Sequence, residues 1–237
     1  MSSTLYLIRH GQASFGTDHY DRLSERGFIQ SEYLARYLLK IDQKFDTVYA
    51  GEMKRQIDTA EKVLSGYREA GRVVPALQIL PEFNEYNSKG ILKALVRDIA
   101  QDDPGMEADM ARFYTDKKAF QRIFEKVILR WITGGKEIPG VTSWQNFRER
   151  VARGMSRVMA ENGQGKTVLV FTSGGPISAA FQMATGISDE GTLRVVWHIV
   201  NTSVSTFVYN AEQISLTSFN NRAHLDLEKD SSLVTYR

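Results

Sequence analysis

The sequence predicts an α/β protein, a three-layer α/β/α sandwich around a mostly parallel central sheet with a helical insertion. Three observations lead there. Short apolar strands alternate with helical stretches toward both ends of the 237-residue chain, the pattern of a parallel sheet covered by helices. The strongest strand, Lys166 to Phe171, is rich in β-branched residues and ends in the turn-forming run Thr172-Ser173-Gly174-Gly175-Pro176. The middle of the chain carries helical patterns and no convincing strand.

Taken in order, Thr4 to Ile8 reads as a compact first strand. Ser24 is a suitable N-cap for a helix to Leu39, with Phe28, Leu34, Tyr37, Leu38 and Ile41 along one face. Thr47 to Tyr49 and Gln78 to Leu80 are weaker strands, separated by a helix from Met53 to Tyr67. From Asn87 to about Thr133 helical patterns break only at Asp102-Asp103-Pro104-Gly105, and Phe113, Phe120, Ile123, Phe124, Val127, Ile128 and Trp131 make an apolar stripe. Helices then follow at Trp144 to Met159 and, after the strongest strand, at Ile177 to Thr185. Ser203 to Tyr209 and Gln213 to Phe219, joined by Asn210-Ala211-Glu212, form a terminal hairpin. The length suits one domain, residues 1–237, with the insertion at about 87–142.

Composition narrows the function. The 42% hydrophobic and 24% charged residues are those of an ordinary soluble globular protein. With 30 Lys and Arg against 28 Asp and Glu, the net charge of +2 gives no general attraction for nucleic acid or anionic lipid. Neither a nucleic-acid nor a membrane partner is expected, and any anion preference must come from a local site. Without cysteine there is no disulfide, thiolate metal site or cysteine nucleophile. The absence of a signal-like start or a long apolar run gives a cytoplasmic expectation. Gly165-Lys166-Thr167 is not a phosphate-binding P-loop, because Ala160 stands where that motif needs its first glycine. Phe171-Thr172-Ser173-Gly174-Gly175 is not a nucleophile elbow, because Phe171 replaces the first glycine.

The chemistry gathers at His10. Of the four histidines, His10, His19, His198 and His224, none has a partner at metal-site spacing, so no metal is expected. His10 directly follows the first strand in Ile8-Arg9-His10-Gly11-Gln12, and ligands of open α/β sheets bind at strand carboxyl ends. A guanidinium beside it can bind phosphate through a fork of donors and keep the imidazole neutral by repulsion, so that it is nucleophilic.

These residues, with Leu23-Ser24-Glu25-Arg26-Gly27-Phe28-Ile29-Gln30, Tyr49 to Ala60, Leu80-Pro81-Glu82-Phe83-Asn84-Glu85 and the helix from Ser143 to Val151, resemble the histidine phosphatase superfamily, the phosphoglycerate-mutase-like fold, along most of the chain. The resemblance implies that His10 becomes a phosphohistidine and that Arg9 and Arg55 hold the phosphoryl oxygens. It implies Glu82 as the acid/base, with Glu85 as its rival three residues on in the same loop. It places Ser173 and Gly174, at the start of the late helix, on the phosphate as well. No cofactor is implied.

Three departures from the family pattern stand out. Ser173 occupies the position of a second histidine, Gly16 that of an asparagine and Gly51 that of a serine. The function expected is a metal-independent phosphatase for a small phosphorylated metabolite. A weakened phosphoester-binding or sensing protein and a phosphoglycerate-type mutase are the alternatives. Tyr86, Lys89, Arg97, Arg112 and Lys117 are loose candidates for a roof over the site, and a homodimer is compatible with the sequence.

Overall fold

A computed structural model describes residues 2–14, 21–113, 115–134, 138–210 and 213–236; His19 and Gly16 lie outside them. The strands are β1 (Ser3–Arg9), β2 (Thr47–Ala50), β3 (Leu77–Ile79), β4 (Thr167–Thr172), β5 (Val204–Tyr209) and β6 (Ile214–Asn221). Among the described residues they form one six-stranded sheet in the order β3-β2-β4-β1-β5-β6. The first four run parallel, and β5 is antiparallel to both β1 and β6. The mostly parallel α/β sheet is as the alternation predicts.

Each face of the sheet is covered by helices because both faces of the inner strands are apolar. On one side Ile8, Val48, Ala50, Leu169 and Phe171 pack against Leu34, Ala35 and Leu38 of α1 (Glu25–Lys40) and Ala60, Val63 and Leu64 of α2 (Lys54–Glu69). On the other, Leu5, Leu7, Tyr49, Val168, Val170 and Phe207 pack against α6 (Trp144–Asn162) and α7 (Gly174–Thr185). The predicted cap is present, with Ser24 Oγ accepting from the Gly27 N–H at 3.1 Å. The predicted apolar face of α1 is partly wrong. Phe28 and Ile41 are exposed, and the helix buries Gly27, Gln30 and Ser31 beside its leucines. Those small and polar residues are buried by hydrogen bonds and backbone contacts at the site end, which apolar periodicity does not register.

Between β3 and α6 lie α3 (Ser88–Asp102), α4 (Glu107–Ala111) and α5 (Lys117–Thr133), with no strand among the described residues there. The break after α3 falls at the Asp-Asp-Pro-Gly run, where proline opens a short 3₁₀ turn, Pro104–Met106. The aromatic stripe is internal packing: Phe113 lies tilted against Phe120, Phe120 stacks on Phe124, and Phe124 meets Trp197, next to α8 (Asp189–Val196). A short α9 (Ala223–Asp226) follows β6 and packs on α1. No helix among the described residues is long and apolar enough to cross a membrane.

Candidate active site

The parallel strands all end on one edge of the sheet, and each delivers a polar side chain there. β1 ends at Arg9 and passes directly to His10, whose backbone N–H continues the ladder to the Thr172 carbonyl at 2.8 Å. β4 ends beside it and opens into α7 through Ser173. β2 leads through Gly51 to the first turn of α2, which carries Arg55. β3 leads through a 3₁₀ turn, Pro81–Phe83, to Glu85.

His10 is buried, with its ring fixed at both nitrogens. Nδ1 lies 2.7 Å from the Gly11 carbonyl, an acceptor, so Nδ1 carries the proton. Nε2 then holds the lone pair and accepts from Arg55 Nε at 3.0 Å. Burial, with Arg55 and Arg9 nearby, holds the imidazole well below its ordinary pKa of 6.5. The ring is therefore neutral, with its lone pair on Nε2. Its backbone is fixed as well, the His10 carbonyl accepting from Asn201 Nδ2 at 3.0 Å and the Gly11 N–H donating to Thr59 Oγ1 at 3.0 Å.

The two arginines are each held by further partners in the structure. Arg55 Nη1 donates to Asp21 at 2.6 Å, and the other Asp21 oxygen accepts the Lys54 N–H at 2.9 Å, capping α2 in place of Met53. Arg9 donates to the carbonyls of Ile199 and Tyr236, and its guanidinium carbon lies 4.0 Å from where a Cβ on Gly174 would sit. The first turn of α7 adds backbone N–H groups and the positive end of its dipole.

The two glutamates separate clearly. Glu82 turns to α6, 3.8 Å from Arg157 and against Gly154, whose added Cβ would stand 2.7 Å from its own. The sequence reading that favoured Glu82 at the site therefore meets a side chain pointed elsewhere. Asn84 leaves the 3₁₀ turn in extended conformation (φ −66°, ψ 147°), which moves Glu85 off the Glu82 side. Glu85 packs half-buried against α7 and accepts the Gly175 N–H at 3.1 Å. Burial raises its carboxyl above the ordinary 4.5, against the opposing pull of the Gly175 N–H, Arg55, the Tyr86 N–H and Arg9.

Ser173 is fully buried, and its Oγ accepts from Gln56 Nε2 at 2.8 Å. His198 and His224 do not replace the absent histidine. His198 is exposed after α8, and His224 is buried with Nε2 2.8 Å from Thr202 Oγ1. Of the roof candidates, Tyr86 packs between Trp131 and Phe147 beside Gly175, whereas Arg112 pairs with Asp109 and Asp116. Sequence reading missed Asp21 and Gln56. Gln56 was findable, since it leads the buried stripe Gln56, Ala60, Val63 and Tyr67 at helical spacing.

The fold and this site define a class of α/β protein in which a histidine and two arginines meet at the strand ends. A sequence profile of the histidine phosphatase superfamily (branch 1) matches residues 5–113 and 89–222, and the chain belongs to that family. Solved structures agree in fold. Phosphoglycerate mutase from Bacillus anthracis superposes with a TM-score of 0.67 at 19% identity, covering 97% of both chains. Phosphoserine phosphatase from Entamoeba histolytica, solved with 3-phosphoglyceric acid, gives 0.64 at 18% identity over 94% of this chain and 99% of its own. Mycobacterial glucosyl-3-phosphoglycerate phosphatase gives 0.61 at 17% identity over 93% and 99%. Comparison with curated protein sequences gives no match.

Proposed function

We propose that the chain hydrolyses a small phosphomonoester through a phosphohistidine on His10, with no metal ion. The observation that carries this reading is the His10 ring, with its Nδ1 proton fixed by Gly11 and its Nε2 lone pair facing Arg55. Nε2 attacks phosphorus, and the P–N bond forms as the ester P–O bond breaks. Glu85, whose carboxyl pKa is raised by desolvation, gives its proton to the leaving oxygen. Water then attacks phosphorus and passes a proton to the Glu85 carboxylate; the P–N bond breaks and inorganic phosphate leaves. Arg9 and Arg55 offset the equatorial charge, Ser173 and the α7 N-terminus at Gly174 contact the same oxygens, and positioning with charge stabilisation does most of the work.

Incubation with a phosphomonoester labelled in its phosphoryl group should give an acid-labile, alkali-stable adduct on the wild type and none on His10→Ala. Turnover should persist in chelator. Hydrolysis by His10→Ala at the wild-type rate would overturn the mechanism. Ser173 favours a second reading, a phosphoester-binding protein with little turnover, because a neutral hydroxyl stands where the family carries a histidine. Tight phosphoester binding without hydrolysis across a broad panel of phosphoesters would select it.

A further inference from the structure

We propose that Gln56 is a positioning residue that turns the Ser173 hydroxyl into a hydrogen-bond donor to the phosphoryl group, so that the pair does the work of the absent histidine. This rests on the part of the proposed function that places a phosphoryl group at His10, not on its turnover. The amide of Gln56 is fully buried. Its Nε2 lies 3.1 Å from the Phe83 carbonyl and 2.8 Å from Ser173 Oγ. A carbonyl can only accept, so the amide nitrogen must be the atom on that side. Gln56 therefore donates to Ser173, and the serine cannot donate back.

The serine proton must then go elsewhere. Ser173 occupies the N-cap of α7 but makes no side-chain cap bond, and the described residues offer its hydroxyl proton no acceptor. It is fully buried at the carboxyl end of β4, beside the end of β1 that leads to His10. A phosphoryl oxygen at His10 supplies the missing acceptor. Phe83 also accepts from Thr172 Oγ1 at 2.7 Å, so one carbonyl ties the Glu85 loop, the end of β4 and Gln56 together.

Gly51 completes the arrangement. A Cβ there would lie 2.1 Å from Gln56 Oε1 and 2.8 Å from Asn84 Oδ1, so any side chain at 51 would expel the glutamine. Two of the departures from the family pattern thus meet at Gln56: Gly51 leaves it room, and Ser173 accepts its hydrogen bond.

The test reads affinity for orthovanadate, a mimic of the five-coordinate phosphorus, and needs no turnover. Ser173→Ala should weaken binding about tenfold, the order of one hydrogen bond to a charged group. Gln56→Met, close in shape but without the N–H, should weaken it as much, and the double variant no more than either. Multiplying losses, or no loss in Gln56→Met, would overturn the proposal. Should Gln56→Met fail to fold, the Gln56 side-chain amide resonance serves instead: vanadate should shift it in the wild type and leave it unmoved in Ser173→Ala, and a shift in both would overturn the proposal. Coupled vanadate binding without a labelled His10 would sink the phosphatase reading and leave this one standing.

Discussion

Arg55 Nε meets His10 Nε2 at 3.0 Å, on the ring nitrogen that carries the lone pair. The same guanidinium thus donates to the imidazole and opposes its protonation. The pH dependence of kcat/KM follows. Its acid limb, set by His10, should lie well below the ordinary imidazole value of 6.5, because burial and two arginines disfavour the cation. Its alkaline limb belongs to Glu85, which must be protonated to act as acid and whose pKa is raised from 4.5. A pH–rate profile with a small phosphomonoester checks both, and an acid limb at 6.5 or above would contradict the assignment.

Glu85→Gln should lower kcat by about 10²–10⁴-fold on an alkyl phosphate and remove the alkaline limb. The loss should shrink for p-nitrophenyl phosphate, whose leaving group needs no proton. Glu82→Gln, which disturbs only a half-exposed pair with Arg157, should stay within about threefold of wild type. Reversal of the two results would return the acid role to Glu82.

Gly175→Ala places a Cβ 2.0 Å from Glu85 Oε1 and 2.8 Å from the Tyr86 ring. Tyr86 is wedged against Trp131 and Phe147, with ring centroids 4.8 and 5.6 Å away, so the carboxylate must yield. Alanine is otherwise favourable in a helix. The expected outcome is a fold that melts within a few degrees of wild type and a kcat loss like that of Glu85→Gln.

Gly27→Ala tests the floor of the site. Its Cβ would stand 2.2 Å from the Gln12 carbonyl oxygen, and one on Gly11 would stand 2.5 Å from that of Gly27. These are backbone atoms that no rotamer change relieves. Urea unfolding should show a loss of about 1–3 kcal/mol, the range for overpacking. Unchanged stability would mean that the loop after His10 is free to move away.

His224 predicts acid sensitivity of the fold. Burial lowers its pKa from 6.5 to about 4. The unfolded chain therefore binds a proton at higher pH than the native one, and stability falls as pH drops from about 6.5 to about 4. The full cost is about 3 kcal/mol, and His10 adds in the same direction. Urea titrations at pH 7 and 5 should show the loss, and His224→Gln should flatten it; an equally steep loss in that variant would clear His224.

The sheet was legible because β1 and β4 are short apolar runs whose period and boundaries depend on local sequence alone. His10 and Arg55 were legible because each sits beside a strand end or helix start. The choice between Glu82 and Glu85 was not, since it turns on the backbone direction at Asn84, fixed by distant groups. Its side chain exchanges hydrogen bonds with Glu52, and its carbonyl accepts from Arg150 at 2.6 Å. The start of α7 was read three residues late because Gly174-Gly175-Pro176 looks like a turn; proline is tolerated in a first helical turn, where its missing N–H has no intrahelical partner.

The bond from Arg9 to the Tyr236 carbonyl joins residues 227 apart in sequence. Gln30 and Asn201 secure that closure, through Leu233 and Thr235. Contacts of such separation close a loop spanning nearly the whole chain, and their entropy must be met before they repay anything. A chain with its sheet formed and this tail undocked would lose one of the carbonyls that hold Arg9 beside His10. An anion at His10 would then act as a clasp on the two ends of the polypeptide, binding the closed state and drawing the last segment home.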